Sequence, residues 1–321
     1  MNGHLVISLD YELLWGLAGW DDEHLKAYER NVDNANDALL QIVKMLEEYG
    51  MKLTVAYVGA MNNSSVKGLM DEKDGFDAKY NTSIFSSFNS SVPYAEKVNK
   101  PSLLFAKDII GELKGLSHVE LASHTYSHYY CLEDGQTKEM FEKDVKLACL
   151  NAEKIGLKLR SIILPRNQIQ HDYMAVCKDR GITHYRGTLN NWLYKTEKTK
   201  SRFSMKGALR FLDTYINISG SNAYSMSEYK DDVLVNVPGS RFLRPFSAKM
   251  SFFERLKIKR IKSSMTYAAK HGLVYHLWWH PHNFGTNTAE NMDNLKSLCE
   301  HYVFLKNKYG FNSSTMSEMN P

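Results

Sequence analysis

The stretch His4-Leu5-Val6-Ile7-Ser8-Leu9-Asp10-Tyr11-Glu12 decides the architecture. Its first six residues form a short, nearly unbroken apolar run, the pattern of a strand covered on both faces in a parallel sheet. Six comparable runs follow at 53–58, 118–122, 161–164, 182–185, 233–237 and 273–279. Helical patterns lie between them. Residues 36–49 place Leu39, Leu40, Val43, Met45 and Leu46 at helical spacing and stop at Gly50, a C-terminal signal. Residues 136–155, 251–271 and 288–309 read the same way, and a shorter helix is expected around 203–212. Seven strands alternating with helices mean a β/α barrel or a doubly wound sheet. Composition does not choose between them.

The chain of 321 residues is long enough for one large domain with a full hydrophobic core. With 40 basic and 36 acidic residues the net charge is only +4, evenly spread, which excludes a nucleic-acid binder built on a basic surface. Cys131, Cys149, Cys177 and Cys299 form no CxxC pair, so neither a cysteine zinc module nor a disulfide framework is indicated. No run approaches the roughly 18 apolar residues of a membrane span. The N-terminus has no charged, then apolar, then small-residue leader, so the expected location is cytoplasmic. Two connections, 61–100 and 188–232, are too long for simple loops. Both follow strands, and in a parallel barrel both would rise from the C-terminal face where active sites are built.

Polar residues gather at the ends of the runs. The first ends in Asp10-Tyr11-Glu12, the third in Ser123-His124-Thr125-Tyr126-Ser127-His128, the fourth in Pro165-Arg166-Asn167 and the seventh in His280-Pro281-His282. In a barrel these converge on one rim. Spacing of i and i+4 lets His124 and His128 reach one metal ion over a helical turn. With 12 histidines, chance supplies about 0.4 such pairs, so position carries the argument. Two imidazoles and a carboxylate leave coordination positions for water and a substrate oxygen. Asp10 and Glu12, at i and i+2 of a strand, point to the same side.

In this order and at these strand ends, Ile7-Ser8-Leu9-Asp10, His124-Thr125-x-x-His128 and Trp279-His280 resemble the polysaccharide deacetylase superfamily (carbohydrate esterase family four). The resemblance spans residues 5–282. It implies an α/β fold, a distorted (β/α)7 barrel forming a single domain over 1–321 with long βα-loop insertions at the active-site face. It also implies a divalent metal, usually zinc, and hydrolytic removal of an acetyl group from an amino sugar. Asp10 carries over as catalytic base, His124 and His128 as metal ligands, and His280 as the acid, with His282 the alternative. The second aspartate of the family's first motif, a metal ligand, is Tyr11 here, so Glu12 takes that place by geometry. The family's arginine before the paired prolines reads Ile163-Leu164-Pro165, with Arg166 after the proline, and the aspartate bracing it has no counterpart near Asn190-Asn191-Trp192. That double loss suggests a rearranged set of supporting residues.

On this reading the metal polarises the amide carbonyl and activates water, Asp10 takes the proton, and protonated His280 serves the leaving amine. The expected substrate is an acyl, chiefly N-acetyl, sugar or glycan precursor. The alternatives are another amide hydrolase of the superfamily acting on a small non-sugar amide, or a non-catalytic glycan-binding relative. Arg166, Arg241 and Arg244 are candidate substrate-binding residues, able to clamp a phosphate or carboxylate or else to form structural ion pairs. Trp192, Trp278 and Trp279 can stack on sugar rings or serve as core. The basic, partly amphipathic stretch 255–262 can lie on an anionic membrane or form a solvated helix face.

Overall fold

Strand β1 (His4–Tyr11) is the centre of the sheet, buried along almost its whole length. The computed structural model describes residues 2–73, 76, 78–194, 205–229 and 233–320. After β1 come β2 (Leu53–Tyr57), β3 (Val119–Ser123), β4 (Ser161–Ile162), β5 (His184–Tyr185), β6 (Val235–Asn236), β7 (Arg241–Phe242), β8 (Val274–Trp279) and β9 (Asn312–Ser314). The order is β6-β5-β4-β3-β2-β1-β8-β7, with β9 also on β1, and every pairing is parallel. All seven expected runs supply a strand; β7 and β9 are additional. β7 continues the sixth run beyond a bend at Pro238-Gly239. β9 is polar (Asn-Ser-Ser) and carries no apolar signal.

The two ends of that order are one kinked segment. β6 bonds to β5, β7 bonds to β8, and only residues 237–240 separate them. Gly239 N donates to Gly187 O and Ser240 N to His276 O, so the segment passes from one sheet edge to the other. A distorted β/α barrel results, in which a strand switching partners closes the curled sheet.

Among the described residues, ten α-helices cover or cap the barrel: α1 (Asp22–Asp33), α2 (Ala35–Glu48), α3 (Val66–Glu72), α4 (Ser91–Lys97), α5 (Lys107–Lys114), α6 (Lys138–Lys154), α7 (Met174–Asp179), α8 (Met205–Leu212), α9 (Glu254–His271) and α10 (Thr288–Tyr309). α9 and α10 both end in a left-handed glycine, Gly272 and Gly310, the usual helix stop. None of the described helices is long and apolar enough to cross a membrane. The four cysteines are free thiols.

Alternation divides the strands into an outer apolar face and an inner face whose character changes along the axis. Outward Leu5, Ile7, Leu9, Leu277 and Trp279 join the helices in the main core. Inside, Val6, Ala56, Ala122, Ile163 and Val237 pack with Met316 and Met319 of the C-terminal segment. Above that apolar layer the inward residues become Ser8, His276, Arg186 and Asp10, joined by hydrogen bonds. The polar layer sits at the C-terminal ends of the strands.

The described residues of 61–100 include short helices packed against this end. Ser87 donates to the Trp15 and Ser127 carbonyls, and the Tyr80 hydroxyl accepts from Tyr130 N. In the 188–232 connection, 195–204 and 230–232 lie outside the described residues, as does the start of the helix expected from 203; α8 is described from Met205.

Candidate active site

Strand alternation brings Ser8 and Asp10 to the inner face, and Glu12, just beyond β1, continues it. Tyr11 turns the other way, where its hydroxyl donates to Asn36 Oδ1 at 2.6 Å. That parity is why Tyr11 cannot serve as ligand and Glu12 can. Glu12 Oε2 lies 3.0 Å from His128 Nε2 and 3.2 Å from His124 Nε2. All three residues are buried, and one ligand atom from each lies within 4.8 Å of the others. Ligands 2.0–2.1 Å from a tetrahedral zinc stand about 3.3 Å apart, so the donor type and spacing both fit a divalent metal.

The local route to this geometry differs from the helical turn expected. Residues 124–128 are not helical, and Thr125 (φ 64°) and His128 (φ 60°) both occupy the left-handed region. Such residues cost about 1 kcal/mol or more each and persist where their surroundings hold them. Here Asp144 of α6 accepts from Tyr126 N at 2.6 Å, Ser127 N at 3.0 Å and the Ser127 hydroxyl at 2.5 Å. Thr125 Oγ1 accepts from Tyr129 N. Burial pushes the Asp144 carboxyl up to about 6, while those three donors pull the other way. Burial also lowers His128 to about 4, so its imidazole is neutral at pH 7 and its nitrogen lone pair is available.

Asp10 is not a ligand in this arrangement. Its two oxygens receive parallel bonds from the Arg186 guanidinium, and Arg186 Nε and Nη2 also donate to Asn167 Oδ1. Burial raises the Asp10 carboxyl, but Arg186, with His124 and His280, outweighs it and holds the group below the ordinary aspartate value. Asp10 is therefore ionised at neutral pH. Arg186 itself stacks on Trp278 at 4.2 Å and donates to Ser8 Oγ, which is in turn 2.7 Å from His276 Nε2.

His280 follows inward-facing His276 and Trp278 at the same parity, and its Nε2 stands 3.5 Å from Glu12 and 3.8 Å from Asp10. The Tyr28 hydroxyl donates to Asn283 Oδ1, which leaves the Asn283 amide nitrogen to donate to His280 Nδ1 at 3.2 Å. The neutral ring must then carry its proton on Nε2, facing the carboxylates. His282 stacks on His280 with centroids 5.0 Å apart, but it is buried, and burial lowers it to about 3. His280, with a fifth of its side chain exposed, is the one that opens toward solvent.

The arginines sort differently from expectation. Arg166 sits near His128, over the Tyr130 ring at 4.0 Å, and donates to Ala18 O. It does not touch Asp10; the bracing role belongs to Arg186, which sequence reasoning missed by seeking an arginine beside the fourth strand. The available signal was its position directly after the fifth run. Arg241 pairs in register with outward Leu277, so its guanidinium lies outside the barrel, 3.1 Å from Asp213. A structural ion pair accounts for it. Arg244 donates to Thr214 Oγ1 and lies over Phe211. Trp279 is core, stacked on Phe284, whereas Trp192 is exposed.

No family model and no curated protein matches the sequence. Solved structures do match the fold. A putative polysaccharide deacetylase from Mycobacterium smegmatis superposes with a TM-score of 0.57 at 12% identity, covering 99% of this chain and 89% of that one. Puue allantoinase gives 0.55 at 10% identity over 98% and 88%. A GH57-type branching enzyme from Pyrococcus horikoshii gives 0.51 at 14% identity over 99% and 70%. From end to end, the chain thus shares its fold with these solved structures, a putative polysaccharide deacetylase among them.

Proposed function

We propose that the protein is a metal-dependent hydrolase that removes an acyl group, N-acetyl in the first instance, from a sugar or glycan precursor. One observation carries this reading: Glu12, His124 and His128 converge with the spacing of a zinc site while Asp10 and His280 stand beside them, uncommitted to ligation. When bound, zinc supplies Lewis-acid polarisation of the acyl oxygen and a more acidic water. Asp10, ionised and fixed by Arg186, accepts the proton of the attacking water. Arg186 limits its rotation, so its remaining lone pairs face the cavity. His280, with its Nε2 proton aimed into the site by Asn283 and Tyr28, donates to the departing amine, which is a poor leaving group unprotonated.

Metal analysis of the purified protein, with His124→Ala and His128→Ala, tests the site. Stoichiometric zinc in the wild type, lost in both variants with the fold retained, is the expected result; metal retained in either removes the ligand assignment. Assay of the zinc-loaded protein on N-acetylated amino sugars and on small cyclic amides then decides the substrate. Turnover of the cyclic amide alone would favour the second reading, a non-sugar amide hydrolase on the same fold.

A further inference from the structure

Beyond the reaction, the rim carries a surface that the chemistry does not use. Phe242, whose ring lies 5.5 Å from His280, leads within a few residues into a band of exposed apolar side chains. Two segments build it: 205–220, containing α8, and 243–256, reaching the first turn of α9. Phe252 is 86% exposed, and Met205, Ile216, Leu212, Phe211 and Leu256 are also open. The rings are contiguous: Phe211 to Tyr215 at 5.5 Å, Tyr215 to Phe253 at 5.8 Å and Phe253 to Phe252 at 5.5 Å. Exposed large apolar residues scattered singly are ordinary, but a continuous band of them marks an interaction surface.

The charge around the band names the partner. Residues 205–220 and 243–263 hold nine basic and two acidic side chains, a net +7 in a chain whose total is only +4, so the charge is not evenly spread as its overall balance suggested. Both acids, Asp213 and Glu254, are buried and paired, Asp213 with Arg241 and Arg260 and Glu254 with Lys257. What faces outward is cationic: Lys249, Arg255 and Lys259 are exposed, and Arg255, Lys259 and Lys262 line a groove between α9 and α10. The buried pairs also hold the two segments side by side. Arg260 bonds Gly220 O, and Lys257 Nζ bonds the Arg244 and Pro245 carbonyls.

We infer that this face docks on an anionic lipid bilayer, with Phe252, Phe253, Ile216 and Leu256 entering the headgroup–acyl boundary and the lysines and arginines meeting the headgroups. The band follows β7 in the chain, and the Phe242 ring of that strand lies against His280. The inference rests on the surface alone and stands independently of the reaction proposed above.

Flotation of the full chain with phosphatidylcholine–phosphatidylglycerol vesicles, against pure phosphatidylcholine, is the test. The wild type is expected to float with the anionic vesicles, less so as salt rises. A Phe252→Ser/Phe253→Ser variant removes the apolar insertion, and Lys249→Glu/Arg255→Glu removes the attraction, about fivefold per cation. Each pair is expected to lower vesicle affinity at least tenfold while zinc content and the thermal transition stay unchanged. Absence of wild-type binding at low salt, or equal binding by both variants, overturns the inference. So does a wild-type dimer that Phe252→Ser/Phe253→Ser converts to monomer without any vesicle binding, since a second copy would then cover the band.

Discussion

The Arg186 guanidinium holds Asp10 through two parallel hydrogen bonds, Nη1 to Oδ1 at 2.6 Å and Nη2 to Oδ2 at 2.7 Å, in a site where both residues are almost fully buried. Removing one partner of such a pair leaves an uncompensated buried charge, at about 3–5 kcal/mol. Arg186→Met is therefore expected to lower unfolding free energy by that order, and urea denaturation measures it. Arg186→Lys keeps a charge but loses the planar two-pronged contact. It should fold, keep its zinc and lose turnover; unchanged turnover in Arg186→Lys would show that Asp10 needs no brace.

In the proposed reaction Asp10 is the base and Glu12 a metal ligand, so their amide variants should fail differently. Asp10→Asn is expected to retain metal and lose turnover, since an amide cannot accept the water proton. Glu12→Gln is expected to weaken metal affinity, with part of the activity restored by excess zinc. Zinc titration of activity in both variants distinguishes them. Rescue of Asp10→Asn, with none for Glu12→Gln, would exchange the roles.

His280→Ala should lower turnover about 10²–10⁴-fold with metal still bound, as loss of a general acid does. A substrate with a better leaving group should suffer less. His282→Ala should change turnover far less, because its buried ring is neutral and stands behind His280. The opposite pattern of kcat values would reassign the acid.

Acid stability gives a test that needs no substrate. His276 is fully buried, between Ser8 Oγ and the Val237 carbonyl, and burial, reinforced by Arg186, lowers it to about 3. Its stabilising contribution is complete above the unfolded value near 6.5 and is lost as pH falls toward 3, because only the unfolded chain binds the proton in that window. Between pH 4 and 5.5 this one group adds about 1.4 kcal/mol per pH unit to the slope of unfolding free energy. His276→Gln should lose that part of the slope in urea titrations across the window. An identical slope in the variant would mean that His276 is protonated in the folded state.

The strands were legible because burial on both faces writes an apolar run into the sequence, and Asp10, Glu12, His124 and His280 were legible because each lies within three residues of the end of one. What the sequence did not disclose was backbone handedness and parity. Nothing in Thr125 or His128 announces a left-handed φ, so the histidine pair looked helical when Asp144 in fact folds its loop. Arg241 could not be placed because the bend at Pro238-Gly239 resets the inside–outside alternation two residues before it. Arg186 was overlooked because the resemblance pointed to the fourth strand, whereas only distance to Asp10 matters for the contact.

The central place of β1 has a consequence for how the molecule comes to exist. As synthesis proceeds, β1 emerges before any of its partners, and it meets β2 some forty residues later. Its other neighbours, β8 and β9, are separated from it by some 270 to 310 residues. Until they arrive, one whole edge of the strand that carries Asp10 and Glu12 has unpaired amides and carbonyls, and pairing of such long sequence range is intrinsically slow. The carboxylates and histidines on the early strands must therefore wait for β8 before His280 can join them. A nascent chain stalled short of β8 would hold Glu12, His124 and His128 without His280 and leave one edge of β1 open to every other chain nearby.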